Sequence, residues 1–174
     1  MILTTFAPSE HTVTELAAVT VEVKYDGRAC DIGPEQVSEL ELSRIAPIRI
    51  SNAYPGRENY SGVYWSATTG RHHWFESLYE KTALSALDRD PAVVDIATQP
   101  FKLHWRRLGM THFPDFLISR SDGSRLLVDV RPRRRIKARD AELFAITAAW
   151  AASLEMDYRL FADLTKVQDW NFRL

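Results

Sequence analysis

Two carboxylates stand beside two apolar, strand-like runs joined by a tight turn: Asp115, in His112-Phe113-Pro114-Asp115, and Asp129, in Val128-Asp129-Val130-Arg131. Phe116-Leu117-Ile118 and Leu126-Leu127-Val128 are the runs, and Ser121-Asp122-Gly123-Ser124 has hairpin-turn chemistry, so the spacing predicts adjacent strands that each carry an acid. An ionised carboxylate inside an apolar strand is costly unless it is paired or coordinates a cation. The nearest basic residue to Asp129 is Arg131, two positions on and therefore on the same strand face. This pattern reads as a divalent-metal site of the kind that cuts phosphodiesters.

A third acid comes from upstream. The segment Trp74 to Leu87 has no Gly or Pro and places apolar residues at Phe75, Tyr79, Ala83, Ala86 and Leu87, which predicts a helix. At about 100° per residue, Ser77, Lys81 and Ser85 form its wet face, while Glu76 and Glu80 share an arc with Ala83, Leu84 and Leu87. An acid placed there is solvated, paired locally, or part of a shared metal site. Two strand carboxylates in need of a cation favour the last reading.

Charge is unevenly placed. The net charge is -1, yet Lys102 to Arg139 holds eleven of the 22 Lys and Arg residues against only Asp115, Asp122 and Asp129. Arg133, Arg134, Arg135, Lys137 and Arg139 follow Asp129 directly, where a phosphate backbone lying over the metal would pass, and are expected to bind DNA. The alternative is a solvated basic loop.

The chain suits one main domain with a small appendage. Val19 to Tyr25 alternates like a strand, Asp26-Gly27 is a hairpin turn and Arg28 to Ile32 returns, so residues 1–52 are expected to form a β-rich N-terminal extension. Acids outnumber bases in it, which suits a protein contact better than a DNA surface. Residues 53–174 form the main domain, entered through the Pro, Gly and Asn-rich stretch Asn52 to Gly62. Val63 to Ala67, Val93 to Ile96, Phe101 to Trp105 and Tyr158 to Ala162 read as strands, and Ala138 to Leu154 as a helix with Leu143, Ile146, Trp150 and Leu154 on one core stripe. The order predicts an α/β fold, a mixed sheet flanked by helices.

Several chemistries find no support. Cys30 is the single cysteine, so neither a disulfide framework nor a Cys-based zinc site is expected. Adjacent His72-His73 cannot easily share one ion, Gly-rich phosphate loops are absent, and Ser77 lacks a nucleophile-elbow context. His112, three residues before Asp115, is in range to touch DNA or the metal's water, but reads rather as a surface or structural histidine. No stretch has the length of a membrane span and Met1 to Ala18 lacks the basic start of a signal peptide, so a soluble cytoplasmic protein is expected.

Glu80, Gln99-Pro100-Phe101, Pro114-Asp115-Phe116 and Val128-Asp129-Val130-Arg131-Pro132, in this order, resemble the N-terminal catalytic domain of the TnsA family of transposon endonucleases, within the PD-(D/E)XK nuclease superfamily. The resemblance runs from about Pro55 to Asp163, and its most specific parts are Ser77-x-x-Glu80, Asp95-Ile96-x-x-Gln99-Pro100-Phe101 and the Asp-Val-Arg-Pro strand end. It implies a restriction-endonuclease-like fold and a Mg²⁺- or Mn²⁺-dependent endodeoxyribonuclease that hydrolyses a phosphodiester at an element end. Glu80, Asp115 and Asp129 take the places of the metal ligands, with Glu76 as the rival to Glu80, and Arg131 completes the catalytic set. The family usually has Lys at that position. Arg stays protonated, so Arg131 can hold a phosphate or orient a metal-bound hydroxide but cannot act as the base.

The resemblance also implies DNA, a DDE-type transposase and an ATPase regulator as partners, and is compatible with a homo-oligomer. TnsA proteins carry a further C-terminal domain that contacts their partners, and this sequence ends at Leu174, soon after the nuclease-like region. Two alternatives stand beside this reading. One is a non-catalytic nuclease-fold protein that binds DNA or a partner, and the other a free-standing restriction or repair nuclease.

Overall fold

A computed structural model describes residues 3–4, 13–50 and 60–162. The expected connection Asn52 to Gly62 therefore lies outside the described residues for most of its length. In chain order the strands are β1 (Leu3–Thr4), β2 (Val19–Tyr25), β3 (Arg28–Ile32), β4 (Ile45–Ala46), β5 (Gly62–Ser66) and β6 (Arg71–Phe75), then β7 (Val93–Thr98), β8 (Phe101–Trp105), β9 (Met110–His112), β10 (Phe116–Arg120), β11 (Arg125–Val130) and β12 (Asp157–Phe161). The helices are α1 (Val13–Ala17), α2 (Leu78–Asp88) and α3 (Ala138–Ser153).

The central sheet has the order β1-β12-β11-β10-β7 and is mixed, with β11 and β12 parallel and the other pairs antiparallel. Period-two alternation along β10 and β11 splits its side chains between two cores. Leu117 and Leu127 join Phe144, Ile146 and Trp150 of α3 in one core, and Phe116, Ile118, Leu126 and Val128 join Ala83, Leu84 and Leu87 of α2 in the other. A second sheet, β3-β2-β8-β9 with β4 also on β2, contributes Val21, Val23, Phe101 and Leu103 to the first core. Among the described residues before position 50, β2 is thus hydrogen-bonded to β8 and its valines share a core with α3. The hairpin turn after β2 is as the sequence predicts, with Asp26 and Gly27 at φ 50° and 78°, the paired positive angles that match the twist of a two-residue hairpin.

One boundary departs from expectation. Trp74 and Phe75 belong to β6, and α2 begins only after Ser77, whose side chain accepts the Glu80 N–H as N-cap. The side-chain cap outweighs the apolar periodicity that extends the helix to Trp74. Glu76 consequently stands at the strand-to-helix junction, not one turn earlier on the helix. β9 is not legible in the sequence, being three residues between a turn and Pro114.

Between β7 and β10 the chain passes from the central sheet to the second and back, at Gln99-Pro100 and at Phe113-Pro114-Asp115. These crossings are tied together: the Gln99 N–H donates to the Asp115 carbonyl at 2.8 Å and the Ile48 N–H to the Gln99 carbonyl at 2.9 Å. Gln99 holds a left-handed φ of 47°, unusual for a residue other than Gly.

Candidate active site at the seam of the two sheets

The register Phe116↔Val128 continues so that Asp115 lies across from Asp129 on the same face of the sheet. The backbone agrees, since Asp115 N–H donates to the Val128 carbonyl at 3.1 Å and Val130 N–H donates to Asp115 Oδ2 at 2.8 Å. Asp115, Asp129, Glu76 and Glu80 all line one cleft of about 490 Å³. Asp129 is 2% exposed and the two Glu residues 8% each, so three of these acids are nearly withdrawn from water.

Withdrawal has electrostatic consequences. Burial and the neighbouring charges of Glu80 and Asp129 hold the Asp115 carboxyl well above the usual carboxylate range, although the Val130 N–H and the Arg49 guanidinium pull it down. Burial also raises Glu80, against the Glu76 N–H and the Ser77 hydroxyl. Both oxygens of Glu80 already accept local bonds, Oε2 from the Glu76 N–H at 2.7 Å and Oε1 from the Ser77 hydroxyl at 2.8 Å. A carboxylate has about four acceptor sites, which leaves lone pairs on both for another partner.

Two further residues grip Asp129. His112 Nε2 lies 2.7 Å from its Oδ2, and the Tyr158 hydroxyl donates to the same oxygen at 2.6 Å. His112 is thus a buried structural partner of Asp129 that lines the cleft, and not a surface histidine. Its burial arises because β9 hands the chain inward at Phe113-Pro114, a turn the sequence pattern does not announce. Tyr158 becomes visible only once β12 is known to run parallel to β11, with Leu127↔Tyr158 in register.

Arg131 lines the cleft, yet its Nη2 is turned toward Asp140 Oδ2, at 3.4 Å. Asp140, at the third position of α3, also accepts the Lys137 N–H at 3.0 Å and so caps that helix. The basic residue placed against the other acids is Arg49. Its Nη2 donates to Glu76 Oε2 at 3.2 Å and its Nε to Gln99 Oε1 at 3.0 Å, while Gln99 Nε2 donates to Asp115 Oδ1 at 3.1 Å. Nothing near Arg49 in sequence marks it for this position.

Of the expected DNA-binding residues, Arg134 and Arg135 line the cleft, and Arg133 and Lys137 are exposed beside it in sequence. Other members of the basic stretch do structural work: Arg120 pairs with Asp157 at 2.6 Å, and Arg125 donates to the Leu40 carbonyl at 2.6 Å.

Among the described residues, no three His, Cys, Asp or Glu side chains are arranged to hold one ion together. Mg²⁺ does not require this, because it keeps several waters and binds through one or two carboxylates. The donors here fit such an ion: oxygen ligands only, with a half-buried Asp115 destabilised by two like charges that a cation would relieve.

Residues 90–163 match the family model described as TnsA-like endonuclease N terminal. Over this stretch the chain is similar to a TnsA-like endonuclease domain. That stretch includes Gln99, Asp115, Asp129 and Arg131 but begins after Glu76 and Glu80. The mixed sheet flanked by helices is the restriction-endonuclease-like arrangement the resemblance implies. No curated protein matches the chain. Among the described residues no helix is long and apolar enough to cross a membrane.

Proposed function

We propose that this TnsA-like domain is a divalent-metal-dependent DNA endonuclease that hydrolyses one phosphodiester at an element end, in company with a DDE-type transposase and an ATPase regulator. The supporting observation is the meeting of Asp115, from the seam, with Glu80 of α2 and Asp129 of β11 in one cleft, where their mutual repulsion asks for a cation. In this reading Mg²⁺ or Mn²⁺ is held through two carboxylates of the set Asp115, Asp129 and Glu80, with water completing its shell. The bound ion supplies a more acidic water and charge neutralisation at the phosphate.

The remaining work belongs to side chains. His112 and Tyr158 fix the Asp129 carboxylate, Gln99 fixes Asp115, and Arg131 and the exposed Arg133, Arg134, Arg135 and Lys137 draw the DNA backbone across the cleft. No general base from the protein is required.

The experiment is a nicking assay on element-end DNA with the partner transposase, in Mg²⁺ or Mn²⁺. Asp115→Ala should abolish cleavage and leave DNA binding equal or stronger, because a carboxylate repels phosphate. Equal cleavage by the two proteins would exclude this site. The pairing of Arg131 with Asp140 favours one other reading, a nuclease fold retained for binding, which expects no metal-dependent cleavage from the wild type.

A further inference from the structure

Resting on that nuclease reading, we infer that Arg49 is a catalytic residue: its guanidinium, held in the cleft between Glu76, Gln99 and Phe113, takes the non-bridging oxygens of the scissile phosphate. The residue lies outside the stretch matched by the family model, and Arg131 occupies the position where a basic residue is expected.

Three observations carry the assignment. The first is preorganisation. Arg49 is anchored at Nε by Gln99 and at Nη2 by Glu76, and its Cζ lies 4.4 Å from the centroid of the Phe113 ring, so the planar group is fixed on three sides. Donors fixed before reaction stabilise developing charge without reorganisation.

The second is spare capacity. A guanidinium has five N–H donors in a fork that suits two oxygens of one phosphate, and the bonds described for Arg49 use only two. Its side chain is 44% exposed and lines the cleft.

The third is location relative to the acids. Through Gln99 the guanidinium is two hydrogen bonds from Asp115 Oδ1, and its field acts favourably on both Asp115 and Glu80. The side chain of Arg131 pairs instead with Asp140, on α3.

The chemistry needs such a group. As a water oxygen bonds to phosphorus and the bond to the leaving sugar oxygen breaks, the water gives up a proton, the sugar oxygen gains one, and the two non-bridging oxygens gather negative charge on the way. Arg cannot take that proton, but it can meet the charge.

The test compares Arg49→Ala, Arg49→Lys and Arg131→Ala in the full chain, with the partner transposase where cleavage is read. Arg49→Ala should cut the cleavage rate constant about 10²–10³-fold, the scale of losing one preorganised donor, and Arg49→Lys should recover only part of it because the fork is lost. Arg131→Ala should lose less than Arg49→Ala. Calorimetric titration with Mn²⁺ alone gives an independent readout: removing a positive charge beside the acids should tighten Mn²⁺ about tenfold in Arg49→Ala, the scale of one unit charge near a dication in a water-like dielectric. Arg49→Lys should bind Mn²⁺ as the wild type does. A collapsed site would weaken Mn²⁺ instead.

Wild-type rates in Arg49→Ala, a larger loss in Arg131→Ala, or Mn²⁺ affinity that is unchanged or weaker in Arg49→Ala would each overturn the inference. Absence of metal-dependent cleavage by the wild type would overturn the nuclease reading itself.

Discussion

The Tyr158 hydroxyl donates to Oδ2 of Asp129 at 2.6 Å from a strand running parallel to the one that carries the acid. Both of the carboxylate's described side-chain partners, Tyr158 and His112, meet this one oxygen, so Oδ1 is the oxygen left for a ligand in the cleft. Burial and the Asp129 charge keep the Tyr158 hydroxyl well above its ordinary range, and it remains a donor at neutral pH. Tyr158→Phe keeps the ring and removes only the bond. We expect about 1 kcal/mol lower stability and roughly 10- to 100-fold weaker Mn²⁺ binding, the scale of losing a residue that orients a ligand. Chemical denaturation and Mn²⁺ titration measure the two effects, and undiminished Mn²⁺ binding would remove Tyr158 from the site.

Glu80 and Glu76 divide the role of helical acid unequally. Glu80 accepts two bonds that close the first turn of α2, whereas Glu76 is engaged by Arg49. If Glu80 is the ligand, Glu80→Gln should lower both melting temperature and Mn²⁺ affinity, since the amide has one acceptor oxygen in place of two. Glu76→Gln should leave Mn²⁺ affinity closer to that of the wild type. Ser77→Ala separates the two functions of Glu80, costing about 1 kcal/mol of helix capping while keeping the carboxylate. A greater Mn²⁺ loss in Glu76→Gln than in Glu80→Gln would assign the ligand to Glu76.

β7, β10, β11 and β12 of the central sheet are legible in the sequence because alternation and turn chemistry agree locally, whereas the two-residue β1 is not. Val19 to Tyr25, Arg28 to Ile32 and Phe101 to Trp105, in the second sheet, also stand where the pattern puts them. Asp115 and Asp129 are legible for the same reason, since a hairpin register is local information. The N-terminus of α2 is not, because apolar spacing continues through Trp74 and Phe75 and competes with the Ser77 cap that decides it.

The rest of the site depends on pairings between distant segments, which no window of sequence encodes. Arg49 reaches the acids only because β2 joins β8 and Ile48 bonds to the seam at Gln99. His112 and Tyr158 meet Asp129 through β9 and the parallel pairing of β12. Gln99 belongs to a recognisable segment, but its task of fixing Asp115 follows only from the two crossings being adjacent in space.

His73 offers a stability test away from the cleft. It is buried in β6, 2.7 Å from the Thr69 hydroxyl, and burial together with the charge of Arg71 lowers it from 6.5 to about 4. The unfolded chain therefore takes up a proton near pH 6.5 that the folded chain refuses until about pH 4. Stability should be fully present above pH 6.5 and fall as the pH is lowered through this window. His73→Gln retains hydrogen-bonding groups without the titration, so its unfolding free energy should be flatter between about pH 6.5 and 4.5. Urea melts at several pH values decide the matter, and identical slopes would show that His73 is not the group responsible.

Arg134 and Arg135, exposed on the turn at Arg133–Arg135 and facing the cleft, provide the test of how DNA is held. Removing one phosphate-binding side chain should reduce the slope of log affinity against log salt by about 0.9, and weaken binding uniformly across sequences. The double substitution to Ala should therefore flatten the slope by nearly two units. It should alter Mn²⁺ affinity less than Arg49→Ala does, since Arg49 is the basic side chain named among the leading influences on Asp115. Arg120 and Arg125 are the internal control, because their side chains are committed to Asp157 and to the carbonyls of Val37 and Leu40. Replacing them should lower stability and leave the salt slope as it is. Fluorescence anisotropy with a DNA duplex over a range of salt concentrations reads both arms. A wild-type slope in the Arg134, Arg135 variant would mean that the backbone does not cross the cleft at this turn.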